Sequence, residues 1–244
     1  VEGPGGWQEF AAIAASQLRK IDPELAPPST ALGVLGMPGL TAYFSLLHVA
    51  QPVPGDVVVI SGAAGAVGQI AGQIAKLAGC TVVGIAGDDD KLAYCVNELG
   101  FDHVINYKTV GDLQAALTAV CPNGVNVYLD GVGGAISQAV FNHLSFKARV
   151  VVIGQISQSN LTEPDMGPRS MRYFLTSRAR MEGFIVGDWA PRNAEALARL
   201  SAWLKEGKLR YAEHAVDGLE NAPAAFIGML KGANLGKTIV NVAR

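Results

Sequence analysis

The sequence predicts an α/β protein with a doubly wound parallel sheet, and three observations carry that prediction. Short apolar, β-branched runs alternate with segments of helical periodicity from residue 56 to about residue 206. That is the order of parallel strands joined by crossover helices. The first run leads directly into a glycine-rich turn, Gly62-Ala63-Ala64-Gly65-Ala66-Val67-Gly68. Its composition, Asp56-Val57-Val58-Val59-Ile60, is that of a strand buried on both faces.

Taken in order, residues 7–21 are apolar without helical periodicity, and Asp22-Pro23 and Ala26-Pro27-Pro28 interrupt them. They read as strand and loop leading to a boundary. Ser29 or Thr30 is placed to cap a helix reaching Gly36, and a second helix is expected over 41–49, after the Met37-Pro38-Gly39 turn. The 56–60 strand, the glycine turn, a helix over 69–78 and a strand over 81–86 then make one βαβ unit.

Further along, helices are expected over 90–99, 113–120, 137–144, 170–180 and 193–206. Strands are expected over 103–106, 125–129, 149–154 and 183–186. A helix over 219–231 and a strand over 236–242 close the chain.

The 244 residues are half hydrophobic and 16% charged, ample for a buried core. The formal net charge of −2 gives no polybasic signature for a nucleic-acid backbone. Cys80, Cys95 and Cys121 are too scattered for a disulfide framework or a metal cluster, which fits a reducing cytoplasm. No uninterrupted apolar stretch has membrane-spanning length. The start, Val1-Glu2-Gly3-Pro4, has no signal-peptide pattern and no methionine, so a piece of a longer protein is expected.

The glycine turn is the first candidate site. A phosphate group needs close approach to backbone N–H groups at a helix N-terminus, where the dipole favours negative charge. The spacing Gly62-x-x-Gly65-x-x-Gly68, between a buried strand and an apolar helix, suits a dinucleotide pyrophosphate. An NAD site ordinarily ends its second strand with an acid that holds the ribose 2′-hydroxyl. Here that position is Ala86 or Gly87, with Lys91 close behind and Tyr107 after the next strand, so NADPH is favoured over NADH. Asp88-Asp89-Asp90 runs against this unless Asp88 or Asp89 caps the next helix and the others face water. Polar turns at Gly131–Gly134, Gly154–Asn160 and Gly183–Gly187 follow later strands, where such sheets bind ligands.

Several chemistries are excluded. None of the six tyrosines has a lysine four residues later, the pair that lowers a phenol pKa in short-chain dehydrogenases. His48, His103, His143 and His214 lie far apart, and none pairs with a cysteine at zinc-ligand spacing. No Gly-x-Ser-x-Gly nucleophile elbow occurs.

Gly36-Met37-Pro38-Gly39-Leu40-Thr41-Ala42-Tyr43 and Ala63-Ala64-Gly65-Ala66-Val67-Gly68 resemble the zinc-free medium-chain reductases of the prostaglandin reductase and leukotriene B4 dehydrogenase family. Arg178-Ala179-Arg180-Met181-Glu182-Gly183-Phe184 and Gly228-Met229-Leu230-Lys231-Gly232 extend the match over nearly the whole chain. Bacterial curcumin and enone reductases belong to the same group. The resemblance implies hydride transfer from NADPH to the β-carbon of an α,β-unsaturated ketone or aldehyde, or to a quinone, by a cytoplasmic homodimer.

It implies that Gly65, Ala66, Val67 and Gly68 hold the pyrophosphate, and Lys91 and Tyr107 the 2′-phosphate. Gly131 stands in a cofactor-lining turn, and Ile153, Gly154, Gln155, Ile156, Ser157, Ser159, Phe184, Ile185 and Val186 would line the nicotinamide, with Asn234 reaching in from the tail. Two positions depart from the family pattern. Gly131 replaces its usual Asn, and Ser159 replaces a Tyr thought to help orient or stabilise the substrate carbonyl, leaving Ser159 a weak candidate for that contact. The expected division is a Rossmann domain over 30–206, with 1–29 and 207–244 as remnants of a GroES-like β-domain. The alternative is a non-catalytic NADP(H)-binding or sensing protein.

Overall fold

The computed structural model describes residues 1–242. The βαβ alternation folds as the apolar runs require. Strands β1 (Val57–Ser61), β2 (Thr81–Ala86), β3 (His103–Asn106), β4 (Val125–Asp130), β5 (Leu144–Val152) and β6 (Arg180–Gly183) form one parallel sheet of order β3-β2-β1-β4-β5-β6. This is the Rossmann order, and the chain changes direction across the sheet between β1 and β4.

Side-chain parity shows why helices must cover both faces. Val58 and Ile60 of β1 pack with Val82, Val127 and Leu129 on one face. There they meet α1 (Met37–Phe44), α2 (Gly68–Leu77) and α7 (Asn193–Lys205) through Phe44, Ile70, Ile74 and Leu200. Val59 points the other way and joins Val83, Ile85, Tyr128 and Val150. These pack under α4 (Leu113–Val120) and α5 (Gly134–Phe141) through Leu117, Ile136, Val140 and Phe141. Strands buried on both sides have no polar face to show, hence the uninterrupted apolar runs.

Helices α3 (Asp89–Asn97) and α6 (Met171–Ser177) complete the crossovers. Beyond α7, β7 (Glu213–Asp217), α8 (Ala222–Leu230) and β8 (Lys237–Asn241) follow, and β7 and β8 pair in parallel as a separate two-stranded sheet. This tail is held to α2 by two buried glutamines one turn apart. Gln69 accepts from the Ala212 N–H at 2.8 Å and donates to its carbonyl at 3.2 Å. Gln73 does the same for Arg210, at 2.8 Å both ways. Each amide therefore satisfies one peptide unit as a neighbouring strand would.

Several elements differ from the sequence expectation. Residues 7–21 form no strand; they hold one 3₁₀ turn, Ala15–Gln17, and a single antiparallel bridge between Glu2 and Arg19. An apolar run makes a strand only when a neighbour accepts its hydrogen bonds. Thr30 lies in a 3₁₀ turn, Pro28–Leu32, rather than capping an α-helix. The next helix begins at Met37, because Pro38 in its first turn lacks only an N–H that would go unused there, and it runs into a π-turn, Ser45–Ala50. Helix α5 starts at Gly134 instead of 137, and β5 starts at Leu144 instead of 149. The last sheet strand is Arg180–Gly183, not 183–186. Strand β7 was not expected.

Candidate functional site

The glycine turn leaves β1 at Ser61 and enters α2 at Gly68. Gly62 has φ +66°, a conformation that costs glycine nothing. A Cβ on Gly68 would lie 2.4 Å from the Gly62 carbonyl oxygen and 2.7 Å from that of Ala63, so only glycine lets helix and turn pack this closely. The helix has no side-chain N-cap. The N–H groups of Ala66, Val67 and Gly68 accordingly have no acceptor among the described residues. Three unfilled donors at a helix N-terminus suit an anion, and a bare Gly65 lets one approach.

A cleft of about 260 Å³ opens beside this turn, at the carboxyl ends of β1, β2 and β3. Gly65, Ala86, Gly87, Lys91, Tyr107, Ile156 and Asn234 line it, all of them sequence-predicted, together with Lys108, Lys231 and Gly232, which were not. Lys91 donates to the Gly232 carbonyl. Burial, then the neighbouring Lys108 charge, draws its ammonium pKa below the ordinary lysine value against the pull of Asp88. Asn234 donates to the Gly236 carbonyl at 2.8 Å, and the Gly236 N–H donates to Ala64 at 2.8 Å, so the tail is tied to the glycine turn.

The aspartate run turns away from this cleft. Asp88 caps α3 by accepting from the Lys91 N–H at 3.1 Å, and Asp89 accepts from Asn106 at 2.6 Å. None of Asp88, Asp89 and Asp90 lines the cleft.

The turns after β4 and β5 are fixed by one buried carboxylate. Asp130, 1% exposed, accepts from six donors. These are the hydroxyls of Ser61 (3.2 Å), Tyr128 (3.1 Å) and Ser137 (2.6 Å), the N–H groups of Val132 (3.1 Å) and Gly133 (2.9 Å), and the Gln155 amide (3.2 Å). Burial, reinforced by the Asp130 charge, holds the Tyr128 phenol protonated well above its usual pKa. The Ile153 and Gly154 N–H groups donate to the Asp130 carbonyl, Ile156 to Gly131, and Ser157 to Val132. Gly131 itself has room for a side chain, its nearest neighbour to a Cβ being 3.5 Å away.

The remaining predicted positions lie apart from the cleft. Ser159 is exposed and its hydroxyl makes no hydrogen bond among the described residues. Phe184 is buried in the core and stacks on Trp189, while Ile185 is exposed and Val186 is half-buried against the same core. Burial lifts the thiols of Cys80 and Cys121 to about 11 and that of Cys95 to about 12, so none is a ready nucleophile. Among the described residues no group of three His, Cys, Asp or Glu side chains is arranged to hold a metal ion, and no helix is long and apolar enough to cross a membrane.

Residues 66–203 match the family described as zinc-binding dehydrogenase. The chain is 52% identical over 245 residues to the putative NADP-dependent oxidoreductase YfmJ of Bacillus subtilis (strain 168), covering 100% of this chain and 72% of that relative. It is 47% identical over 239 residues to prostaglandin reductase 1 of Rattus norvegicus, covering 96% and 72%. Among solved structures, CurA of Vibrio vulnificus in complex with NADPH matches with a TM-score of 0.85 and 46% identity. That match covers 89% of this chain and 66% of CurA.

Proposed function

This chain belongs to the zinc-binding dehydrogenase family, and we propose that it is the NADPH-binding part of a reductase acting on the C=C bond of α,β-unsaturated ketones and aldehydes, or on quinones. The observation that carries the cofactor assignment is the end of β2. No acid waits there for a ribose hydroxyl; Lys91 and Lys108 flank Gly87 instead, with Tyr107 beside them. Two cations and a phenol suit a 2′-phosphate. YfmJ, by its name an NADP-dependent oxidoreductase, and CurA, solved with NADPH, support the same assignment.

In this reading residues 30–206 are the cofactor domain, and 1–29 with 207–244 belong to a second, GroES-like unit. The free N–H groups of Ala66, Val67 and Gly68 take the pyrophosphate. Lys91, Lys108 and Tyr107 take the 2′-phosphate, and Asn234 closes the cleft from the tail. Gly131 and the Ile153–Ser157 turn, held by Asp130, border the cofactor, and Ser159, Phe184, Ile185 and Val186 complete the nicotinamide side. Bound NADPH supplies a hydride. The chain's part is alignment and exclusion of water. No base is assigned, and Ser159 remains the only substrate-contact candidate. The protein acts in the cytoplasm as a homodimer, and light scattering tests the dimer directly.

The non-catalytic alternative draws on Gly131 and the exposed Ser159, which stand where the family usually has Asn and Tyr. Incubation with NADPH and a panel of enones, enals and quinones separates the two. A product two hydrogens heavier, formed as NADPH is consumed, supports the reductase. Cofactor binding without turnover of any panel member favours the alternative.

A further inference from the structure

A second charged hollow, of about 460 Å³, lies near the amino end of β6 and is lined by Ala50, Gln51, Lys147, Arg149, Arg178 and Arg180. Four cations meet there and no carboxylate lines it. Asp56 pairs with Arg149; Lys147, Arg178 and Arg180 have no ion pair among the described residues. Lys147 and Arg178 both lie against the Phe146 ring, 5.5 and 5.3 Å from its centre, so one ring gathers two like charges at the same hollow. Like charges brought near one another repel unless something of opposite sign lies between them.

The backbone supplies an independent observation. Among the described residues three non-glycines have positive φ: Gln51 (49°), Lys147 (59°) and Arg178 (53°). All three line this hollow. Gln51 ends the π-turn, Arg178 ends α6, and Lys147 sits in the stretch where the pairing of β5 with β4 slips register. Glycine is the ordinary occupant of such positions because it adopts them without strain. The sequence instead places a long polar side chain at each, and two of them are cations. Left-handed non-glycine residues that converge on one place point to a use for their side chains.

Part of the cluster has a purely structural use. Arg180 donates to the Val49 carbonyl and Arg149 to that of Gln51 at 3.4 Å, which satisfies the end of the π-turn. That accounts for neither Lys147 nor Arg178, nor for the Arg149 Nε, which is buried without a partner. We propose that this hollow binds a phosphate-class oxyanion, such as the phosphate of a small phosphomonoester. Lys147 and Arg178 would clamp it, with the remaining N–H groups of Arg149 and Arg180 donating from below. Forked guanidinium donors match a phosphate face, and the charge-assisted bonds supply the affinity.

The test is calorimetric titration with inorganic phosphate at constant ionic strength. The expected result is one saturable event that survives Lys91→Ala and weakens about tenfold or more in Lys147→Gly/Arg178→Gly. Glycine relieves the left-handed backbone, so that double variant keeps or raises its melting temperature while losing the anion. Lys147→Gln/Arg178→Gln, which preserves length, must lose it too. Absence of saturable binding overturns the proposal. So does binding indifferent to both double variants, or binding abolished by Lys91→Ala, which would place the phosphate in the dinucleotide cleft.

Discussion

The six-stranded sheet and the two-stranded tail sheet are both parallel, yet they are held in different ways. In β1, β2 and β4 most residues are fully buried, among them Val58, Val59, Ile60, Val82, Val83 and Leu129. In β7 and β8 only Ile239 is buried. The first sheet is fixed by apolar contact on two faces. The second is fixed by polar bonds: two glutamine amides on α2, the Gly236–Ala64 backbone bond, and Lys91 on Gly232. The cleft proposed for the dinucleotide lies where the two meet, so its floor is packed on two faces and its tail-side wall is tied by a few hydrogen bonds.

The comparison breaks hardest at Asp130. Asp130→Ala leaves several buried donors orphaned in the central sheet, and a loss of about 3 kcal/mol or more is expected in urea unfolding. Gly68→Ala drives a Cβ against two carbonyls, and about 1–3 kcal/mol should be lost together with NADPH binding. The tail should be less costly to release. Gln73→Leu orphans the Arg210 peptide and should cost about 1–2 kcal/mol, with hydrogen exchange rising over 207–217 while β1 stays protected. Exchange rising equally in β1 would mean that the two sheets unfold as one.

Lys91→Ala should weaken NADPH about tenfold while leaving NADH nearly unchanged. Because burial lowers the pKa of Lys91, its charge is lost sooner than a solvated lysine's as pH rises. The preference for NADPH should therefore decline on the alkaline side, and titrations at stepped pH check the sign. The smallest effect belongs to the exposed end of β7, where Asp217→Ser should shift stability by no more than about 0.5 kcal/mol.

The same contrast decides what could be read from the sequence. Strand β2 falls where the sequence places it, because double-sided burial forces an unbroken apolar run; edge strand β3 and helix α4 also keep their expected bounds, set by the Gly100 turn before β3 and the Asp112 cap of α4. The sequence places strand β6 three residues late, since Arg180, Met181 and Glu182 form an exposed edge and resemble a loop. Strand β7 runs Glu213-His214-Ala215-Val216-Asp217, whose composition gives no sign of the glutamine-docked tail beside it. In the cleft, Tyr107 is legible because it follows β3 directly, and Lys91 because it stands in the first turn of the helix after β2. Lys108 stood next to Tyr107 and could have been found by the same rule. Gly232 could not, because it meets Lys91 from 141 residues away, through a fold that sequence spacing does not reveal.

The most direct measurement is a parallel titration of the chain with NADPH and NADH, repeated with Lys91→Ala and Lys108→Ala. The cleft geometry calls for tighter binding of NADPH, with that advantage reduced by either substitution and NADH little affected. Equal or NADH-favoured binding, or an NADPH preference indifferent to both lysines, would contradict the assignment of the 2′-phosphate to the end of β2.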